Sequence, residues 1–311
     1  KFKKRGTYMG NFVDEFKKNG FAVIKDLFEV NELLPVMNDI NNLVNNLNDE
    51  LLALGKIKKS YKDKDLSKKL IYIEKECNGA AAWLHSRGRM TKEIAKLWCN
   101  NKLLDAVQQL IGPNISGNPI WNIRCKVPNN SLATVPWHQD TAYLNAGSEN
   151  TLQIAAWIPL VDVNKHNGTL QLVKNYKKDV LNHKLERERG DKNSWYLYID
   201  DKDFDTSSIF TCNFSVGTII LFNQIIPHRS LENHSDHTRW SLDLRWQKPN
   251  EYSGVESTEC VPMRIKGVNQ DLNSWIDSID RKEFVTEDYE NVKDKDGMYP
   301  NPNGPWIERW R

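Results

Sequence analysis

The sequence predicts a mainly β fold with flanking α-helices, and three observations carry that prediction. Apolar residues recur at helical spacing up to about residue 111 and at a spacing of two from residue 118 onward. The second stretch divides into several short alternating runs, with turn residues and no helical pattern between them. One side of these runs is apolar and the other charged, which calls for a sheet with a packed face and a face lining a polar cavity. Short antiparallel strands of this kind form a sandwich or jelly roll. A chain of 311 residues can bury the core of one large β domain or of two smaller ones. The reading is one domain: a mostly helical part over 1–117, a jelly-roll core over 118–250 and an extension over 251–311.

Residues 11–19 read as a short amphipathic helix ended by Gly20, followed by a short apolar strand, Phe21–Ile24. Val30 to Leu54 keeps helical spacing, with Leu33, Leu34, Val36 and Met37 near its start, so a long helix is expected. The basic run from Lys58 through Lys69, interleaved with Asp63 and Asp65, reads as a solvated helix or loop. Residues 92–111 form one or two helices, bounded by Gly112-Pro113. In Ile120–Lys126, alternation puts Asn122, Arg124 and Lys126 on one face and Ile123 and Cys125 on the other. In Thr151–Leu160, Thr151, Gln153, Ala155 and Trp157 share a face opposite Leu152, Ile154, Ala156 and Ile158. Gly217–Phe222 is a short apolar strand. Arg239–Gln247 alternates most clearly, with Arg239, Ser241, Asp243 and Arg245 against Trp240, Leu242, Leu244 and Trp246. Residues 177–208 are the charged exception, broken by Trp195-Tyr196-Leu197-Tyr198. Lying between core strands, they read as an insertion over the mouth of the barrel, either a lid or a plain surface loop. Trp306 and Trp310 either cover the barrel or form a subunit contact.

The bulk numbers exclude several roles. A net charge of +2, with both signs mixed along the chain, gives no electrostatic argument for nucleic acid. Five scattered cysteines without a Cys-x-x-Cys fit a reducing compartment, with each thiol packed as a small apolar group. No stretch is apolar for long enough to span a membrane. The expected location is therefore intracellular and cytoplasmic. The chain opens on Lys1 rather than Met, so its native start is expected to lie upstream and a removed targeting segment stays open. There is no internal repeat, and the sequence leaves the oligomeric state unknown.

The chemistry centres on His138-Gln139-Asp140 and His228. Two imidazoles and one carboxylate, with further coordination positions open, are the ligand set of non-haem Fe(II) oxygenases. A structural zinc site would close itself with four protein ligands. His138 and Asp140 stand two apart, so on a strand both side chains point the same way, while His228 must arrive from a second strand. The other histidines, His85, His166, His183, His234 and His237, lack such a context.

His-x-Asp alone is a weak motif, and its surroundings strengthen it. Val135-Pro136-Trp137-His138-Gln139-Asp140-Thr141-Ala142-Tyr143 is followed by the Thr151–Asp162 run and by Asn167-Gly168-Thr169-Leu170. The distal part reads Pro227-His228-Arg229-Ser230, then Asn233, Ser235 and Arg239, closing with Arg245-Trp246. This series, from about 118 to 247, resembles the phytanoyl-CoA dioxygenase family of Fe(II)/2-oxoglutarate-dependent oxygenases; the helix-strand-helix opening at 11–47 is also similar to the start of that family.

The resemblance implies a double-stranded β-helix (jelly roll, cupin-like) with N-terminal helices packed on it. It implies Fe(II) held by His138, Asp140 and His228, with 2-oxoglutarate and dioxygen as cosubstrates. Arg239, eleven residues after His228, stands where that family binds the distal carboxylate of 2-oxoglutarate, with Ser230 in support. Trp157 and Thr151 are candidate walls of the cosubstrate pocket. Asn122, Arg124, Lys126, Gln153 and Tyr143 are candidate substrate residues. Related halogenases replace the carboxylate ligand with a small residue, so Asp140 argues against halogenation. The chain departs from the family where Pro-Gly-Ser-His usually follows Asn-Gly-x-Leu: it has Gln171-Leu172-Val173-Lys174 instead. The expected reaction is oxidation of an unactivated C–H bond of a small polar molecule, an amino-acid derivative or specialised metabolite, by hydroxylation, desaturation or oxidative ring closure. The alternatives are a fatty acyl-CoA hydroxylase of the same family, a catalytically silent jelly-roll binding protein, and a metal-dependent isomerase or hydrolase on the same architecture.

Overall fold

The computed structural model describes residues 11–86, 90–176, 179–186, 194, 196–255, 259–279 and 309–310. Helix α1 (Phe12–Asn19) stops where Gly20 turns left-handed at φ 79° and its N–H bonds the Phe16 carbonyl. Strand β1 (Phe21–Ile24) follows, then α2 (Val30–Ala53), which opens on a reciprocal capping box between Glu29 and Glu32. Helices α3 (Leu66–Glu76), α4 (Ala80–Ser86), α5 (Lys92–Trp98) and α6 (Asn101–Ile111) complete the N-terminal part. Asp65, Thr91 and Asn100 cap α3, α5 and α6 with side-chain oxygens. The region read as one or two helices is two.

The basic run is solvated only in part. Lys69, in α3, is buried, and its ammonium donates to Asn41 Oδ1 and Asn45 Oδ1 of α2, both at 2.6 Å. Its position follows from the helical face that also buries Leu70 and Ile73.

The strands after α6 are β2 (Ile115–Gly117), β3 (Asn122–Lys126), β4 (Ile154–Pro159), β5 (Leu170–Val173), β6 (Lys184–Leu185), β7 (Leu197–Tyr198), β8 (Ile209–Thr211), β9 (Ile219–Asn223), β10 (His228–Ser230), β11 (Arg239–Gln247), β12 (Val261–Ile265) and β13 (Val268–Asn269). Helix α7 (Asn273–Ser278) follows. The larger sheet runs β1-β9-β4-β11-β2-β12-β13, with β3 also paired to β11. The smaller runs β10-β5-β8, and β6 and β7 pair by themselves. Every named pairing is antiparallel.

The period of two separates the faces of the large sheet. Ala22, Ile123, Cys125, Ile154, Ala156, Ile158, Ile219, Leu221, Trp240, Leu242, Leu244 and Trp246 join the helices in the main core. Phe21, Ala155, Trp157, Ile220 and Phe222 point the other way and meet Leu170, Leu172 and Val173 of the small sheet. The helices therefore cover the outer face, and the space between the sheets is apolar at one end. At the other end it is bounded by the polar faces of β3 and β11. No described helix is long and apolar enough to cross a membrane.

Candidate metal and cosubstrate site

His138 and His228 face each other across an antiparallel bridge, with each backbone N–H donating to the other's carbonyl at 2.9 Å. This reciprocal pair fixes both Cα atoms side by side and sends both rings to one face. Asp140 arrives differently from the expectation. The chain leaves the extended path after Gln139, and Asp140 opens a short 3-10 turn, Asp140–Tyr143. Gln139 holds that departure in place: its side chain donates to the Ile225 carbonyl at 2.6 Å and accepts from the Leu181 N–H at 2.7 Å. Its backbone N–H donates to His183 Nε2 at 3.1 Å. The residue between the two ligand candidates thus ties the turn to the 177–208 insertion, a role its sequence position did not advertise.

The donor set fits a divalent transition metal. His138 Nδ1 lies 2.8 Å from the Pro136 carbonyl, and His228 Nδ1 3.0 Å from that of Ile226. A carbonyl only accepts, so each Nδ1 carries the proton and each Nε2 keeps its lone pair. The two Nε2 atoms stand 3.7 and 3.6 Å from Asp140 Oδ1, and the three donors lie within 4.8 Å of one another. All three residues are buried. Burial pushes the His228 imidazole down to about 4, with His138 adding to the effect, which keeps the ring neutral as ligation requires.

The other carboxylate oxygen is occupied. Arg245 donates to Asp140 Oδ2 through Nη2 at 2.7 Å and Nε at 3.2 Å, and to the Ile120 carbonyl through Nη1 at 3.2 Å. Burial alone would push the Asp140 carboxyl up; the Arg245 guanidinium and the two imidazoles outweigh it and hold the carboxyl well below its ordinary value. Alternation had put Arg245 on the site face but could not say which acid it meets. Its partner is the candidate ligand itself, with Oδ1 left facing the imidazoles.

A cavity opens beside the two imidazoles, and its walls include Arg124, Lys126, Trp157, Ser230 and Arg239. Arg239 is 2% exposed. Its Nη1 donates to Ser241 Oγ at 2.6 Å and its Nη2 to the Gly168 carbonyl at 3.1 Å, while its Nε has no hydrogen-bond partner. The Trp157 ring centroid lies 5.6 Å from the guanidinium carbon, and the indole N–H also donates to Ser241 Oγ. Burial pushes the Arg239 guanidinium down to about 10, still charged at neutral pH. Lys126 lies directly opposite Arg239 in the β3–β11 register. Its ammonium donates to the Leu231 carbonyl at 2.6 Å, and burial holds it well below the ordinary lysine value. Gly168 serves this corner: a Cβ there would stand 2.5 Å from Lys126 Cδ and 2.7 Å from the Leu231 carbonyl oxygen, and its φ is +81°. Two basic groups placed opposite each other, with only neutral oxygens as hydrogen-bond acceptors, suit an anion in the cavity between them. Ser230 Oγ accepts from the Val135 N–H at 3.0 Å and still has its own proton to donate.

The remaining candidates are distributed unevenly. Arg124 lines the cavity and ion-pairs with Asp243 at 2.7 Å. Tyr143 stacks edge-on against His138 at 5.4 Å and bonds the backbone of Leu197, outside the cavity wall. Asn122 lies opposite Asp243 in the strand register without lining the cavity. Gln153 joins a buried polar group through Gln224 and Ser253, and Thr151 is held by the Ser148 carbonyl; neither borders the cavity. His85 and Tyr196, which the sequence pattern does not single out, do line it. Tyr196 belongs to the 177–208 insertion, whose described residues also bond Trp137 and Gln139. Trp306 lies outside the described residues. Trp310 donates its indole N–H to the Ala142 carbonyl at 2.8 Å and packs on His183, so it covers the ligand turn.

A family model described as phytanoyl-CoA dioxygenase (PhyH) matches residues 16–241. No curated protein matches the chain significantly. Among solved structures, the apo form of the non-haem monooxygenase ThoJ is 17% identical with a TM-score of 0.55, covering 84% of this chain and 86% of its own. EvdO2 from Micromonospora carbonacea var. aurantiaca, complexed with 2-oxoglutarate, is 18% identical with a TM-score of 0.52, covering 82% of this chain and 96% of its own. The epimerase SnoN, in complex with Fe3+, α-ketoglutarate and nogalamycin RO, is 15% identical with a TM-score of 0.50, covering 82% of this chain and 95% of its own. These likenesses show the fold: a double-stranded β-helix with N-terminal helices.

Proposed function

The chain belongs to the phytanoyl-CoA dioxygenase family of Fe(II)/2-oxoglutarate-dependent oxygenases, and from that premise we propose that it oxidises an unactivated C–H bond of a small polar molecule, an amino-acid derivative or specialised metabolite. One observation carries the assignment of the site: the donor atoms of His138, Asp140 and His228 converge, and the two histidines line the same cavity as the buried Arg239.

His138, Asp140 and His228 hold the iron, and Arg245 and the Pro136 and Ile226 carbonyls orient them. Bound iron with 2-oxoglutarate and dioxygen supplies an oxidant able to remove hydrogen from an unactivated carbon. The protein does the rest by positioning and by excluding water. Arg239 and Lys126 receive the distal carboxylate of 2-oxoglutarate, with Ser230 donating its hydroxyl. Trp157 walls the cosubstrate and fixes Ser241, which in turn fixes Arg239. The insertion and Trp310 cover the ligand turn, and the whole chain works as one oxygenase domain. Much of the cavity wall is apolar, with Ala81, Val135, Leu170 and Phe222, but Arg124, Lys126, Asn130 and Asp243 give it a polar side that suits a substrate with a polar end. Whether the oxidised substrate is hydroxylated, desaturated or cyclised depends on which hydrogen it presents.

The test is an anaerobic titration of metal-free protein with Fe(II) and 2-oxoglutarate, followed by the weak visible charge-transfer band of the chelate. Expected are the band in the wild-type protein, its loss in Asp140→Ala, and no succinate formation by that variant. Full succinate formation by Asp140→Ala refutes the ligand assignment. Product mass then separates the outcomes: one oxygen gained for hydroxylation, two hydrogens lost for desaturation or ring closure.

A further inference from the structure

The inner face of β3 and β11 carries four cationic side chains, and they are not alike. Arg245 faces the Asp140 carboxylate and Arg124 faces that of Asp243. Lys126 and Arg239 face neutral oxygens. With a divalent metal on its three ligands and the dianionic cosubstrate in place, the charges of these groups still leave the cavity positive, whether or not Lys126 holds its proton. Among the described residues that line the cavity, Asp243 is the sole carboxylate, and it is already paired. An excess of buried positive charge disfavours a neutral or cationic guest and favours an anionic one.

Arg124 is the group built to meet that anion. Its Nε donates to Asp243 Oδ2 at 2.7 Å. Its Nη1 stands 3.3 Å from His85 Nε2. His85 Nδ1 lies 2.9 Å from the Ile123 carbonyl, so Nδ1 carries the proton and Nε2 accepts from the guanidinium. Two fixed acceptors thus set the plane of the fork, while Nη2 has no partner among the described residues and the group borders the cavity. Ala81 and Ala82, at the same wall, leave space beside it. An oriented guanidinium with its terminal edge free presents parallel N–H groups to a carboxylate.

We propose that the substrate carries a carboxylate and that this group docks on the terminal edge of Arg124, with His85 and Asp243 as positioning residues. The proposal rests on the oxygenase reading above and narrows its substrate to an organic acid. It also separates two neighbouring basic groups by role: Arg239 with Lys126 for the cosubstrate, and Arg124 for the substrate.

The test uses holoenzyme loaded with Fe(II) and 2-oxoglutarate and a library of small carboxylic acids, each matched with its primary amide. Stimulated succinate formation is the readout. Acids are expected to exceed their amides by at least about ten-fold in kcat/KM, because an amide leaves part of the fork unpaired. Arg124→Gln should raise the KM of the stimulating acid by about ten-fold or more and bring the acid-to-amide ratio towards one, with Arg124→Lys recovering part of the preference. The 2-oxoglutarate Kd, read from the charge-transfer band, should stay within about three-fold in both variants. Stimulation led by neutral, cationic or phosphate compounds, no acid exceeding its amide, an unchanged ratio in Arg124→Gln, or a large loss of 2-oxoglutarate affinity in that variant overturns the proposal. A wild-type protein that shows no charge-transfer band overturns the oxygenase reading as well, a result visible before any library compound is added.

Discussion

Replacing Arg239 by Met separates binding from stability, because the two effects come from different neighbours. Removing one partner of a buried ion pair usually costs about 3–5 kcal/mol, since the other charge is left stranded. Arg239 leaves no stranded charge: its acceptors are Ser241 Oγ, which still receives the Trp157 indole N–H, and the Gly168 carbonyl. Asp243 stays paired with Arg124. Burial pushes the guanidinium from 12.5 down to about 10, so keeping it charged disfavours the folded state by about 3 kcal/mol at neutral pH. Two lost hydrogen bonds and the contact with Trp157 offset this by about 2–4 kcal/mol. The metal-free variant should therefore unfold within about 1 kcal/mol of wild type, a Tm change of roughly 3 °C or less. The cosubstrate behaves otherwise. Truncating a buried charge that binds a carboxylate costs about 2–5 kcal/mol, which is roughly 30- to several thousand-fold in Kd. Anaerobic titration with Fe(II) and 2-oxoglutarate measures the second effect, and chemical denaturation of the metal-free protein the first. At one hundred times its wild-type Kd, 2-oxoglutarate should add about 2.7 kcal/mol to wild type and less than about 1 kcal/mol to the variant. A metal-free variant destabilised by about 3 kcal/mol or more would show that Arg239 is a structural ion-pair partner. Unchanged cosubstrate affinity would refute its role outright.

Two further outcomes follow from the surroundings of the site. Burial and the neighbouring Arg124 push the His85 imidazole down to about 4, with Asp243 opposing, so between pH 6.5 and 4 the unfolded chain takes up a proton that the folded one refuses. Stability should fall across that window, and His85→Gln should gain about 2 kcal/mol on wild type between pH 7 and pH 5; parallel acid limbs for the two proteins would contradict the assignment. Deleting residues 309–311 removes the Arg309 bonds to the Thr141 and Leu144 carbonyls and the Trp310 bond to Ala142, all on the turn that starts at Asp140. Iron affinity should drop about ten-fold, and a truncated protein that binds iron as tightly as wild type would show that the tail only rests on the turn.

Strand β11 was legible to the residue because charged and large apolar side chains alternate strictly along it, a period that a strand produces and a helix does not. Arg239–Gln247 is the strand observed, with both faces as expected. The same logic misplaced Asp140: a spacing of two is what a strand requires, but it is equally compatible with a chain that turns immediately after Gln139. Only the hydrogen bonds of Gln139, made to residues forty and more positions away, select the turn. Strands β5 and β8 escaped notice because they are four and three residues long, too short for a period to register, and β10 was expected only as the strand that brings in His228. The start of α3 was left open between helix and loop by the lysines around its apolar face, and α4 was hidden by its run of small residues. Arg245 was placed on the correct face without a partner, since alternation fixes a direction and only tertiary contact fixes which acid lies in it.

One strand therefore couples the fold to the chemistry. Trp240, Leu242, Leu244 and Trp246 lock β11 into the main core from one side, while Arg239, Ser241, Asp243 and Arg245 meet the cavity and the ligand turn from the other. A slip of one residue would drive two arginines and an aspartate into the apolar core and four large apolar side chains into the polar site, so no partly shifted register is stable. The packing that excludes the slip also sets the spacing of the charged groups. Arg239 and Arg245 sit six residues apart on one face, about 20 Å along an extended strand, and their side chains reach back to different ends of the site. The order of Arg239, Asp243 and Arg245 along the site face is thus held by tryptophan and leucine packing on the opposite face. That packing also offsets the cost of burying Arg239 beside Lys126 with only neutral hydrogen-bond acceptors, on a strand whose nine residues are all buried.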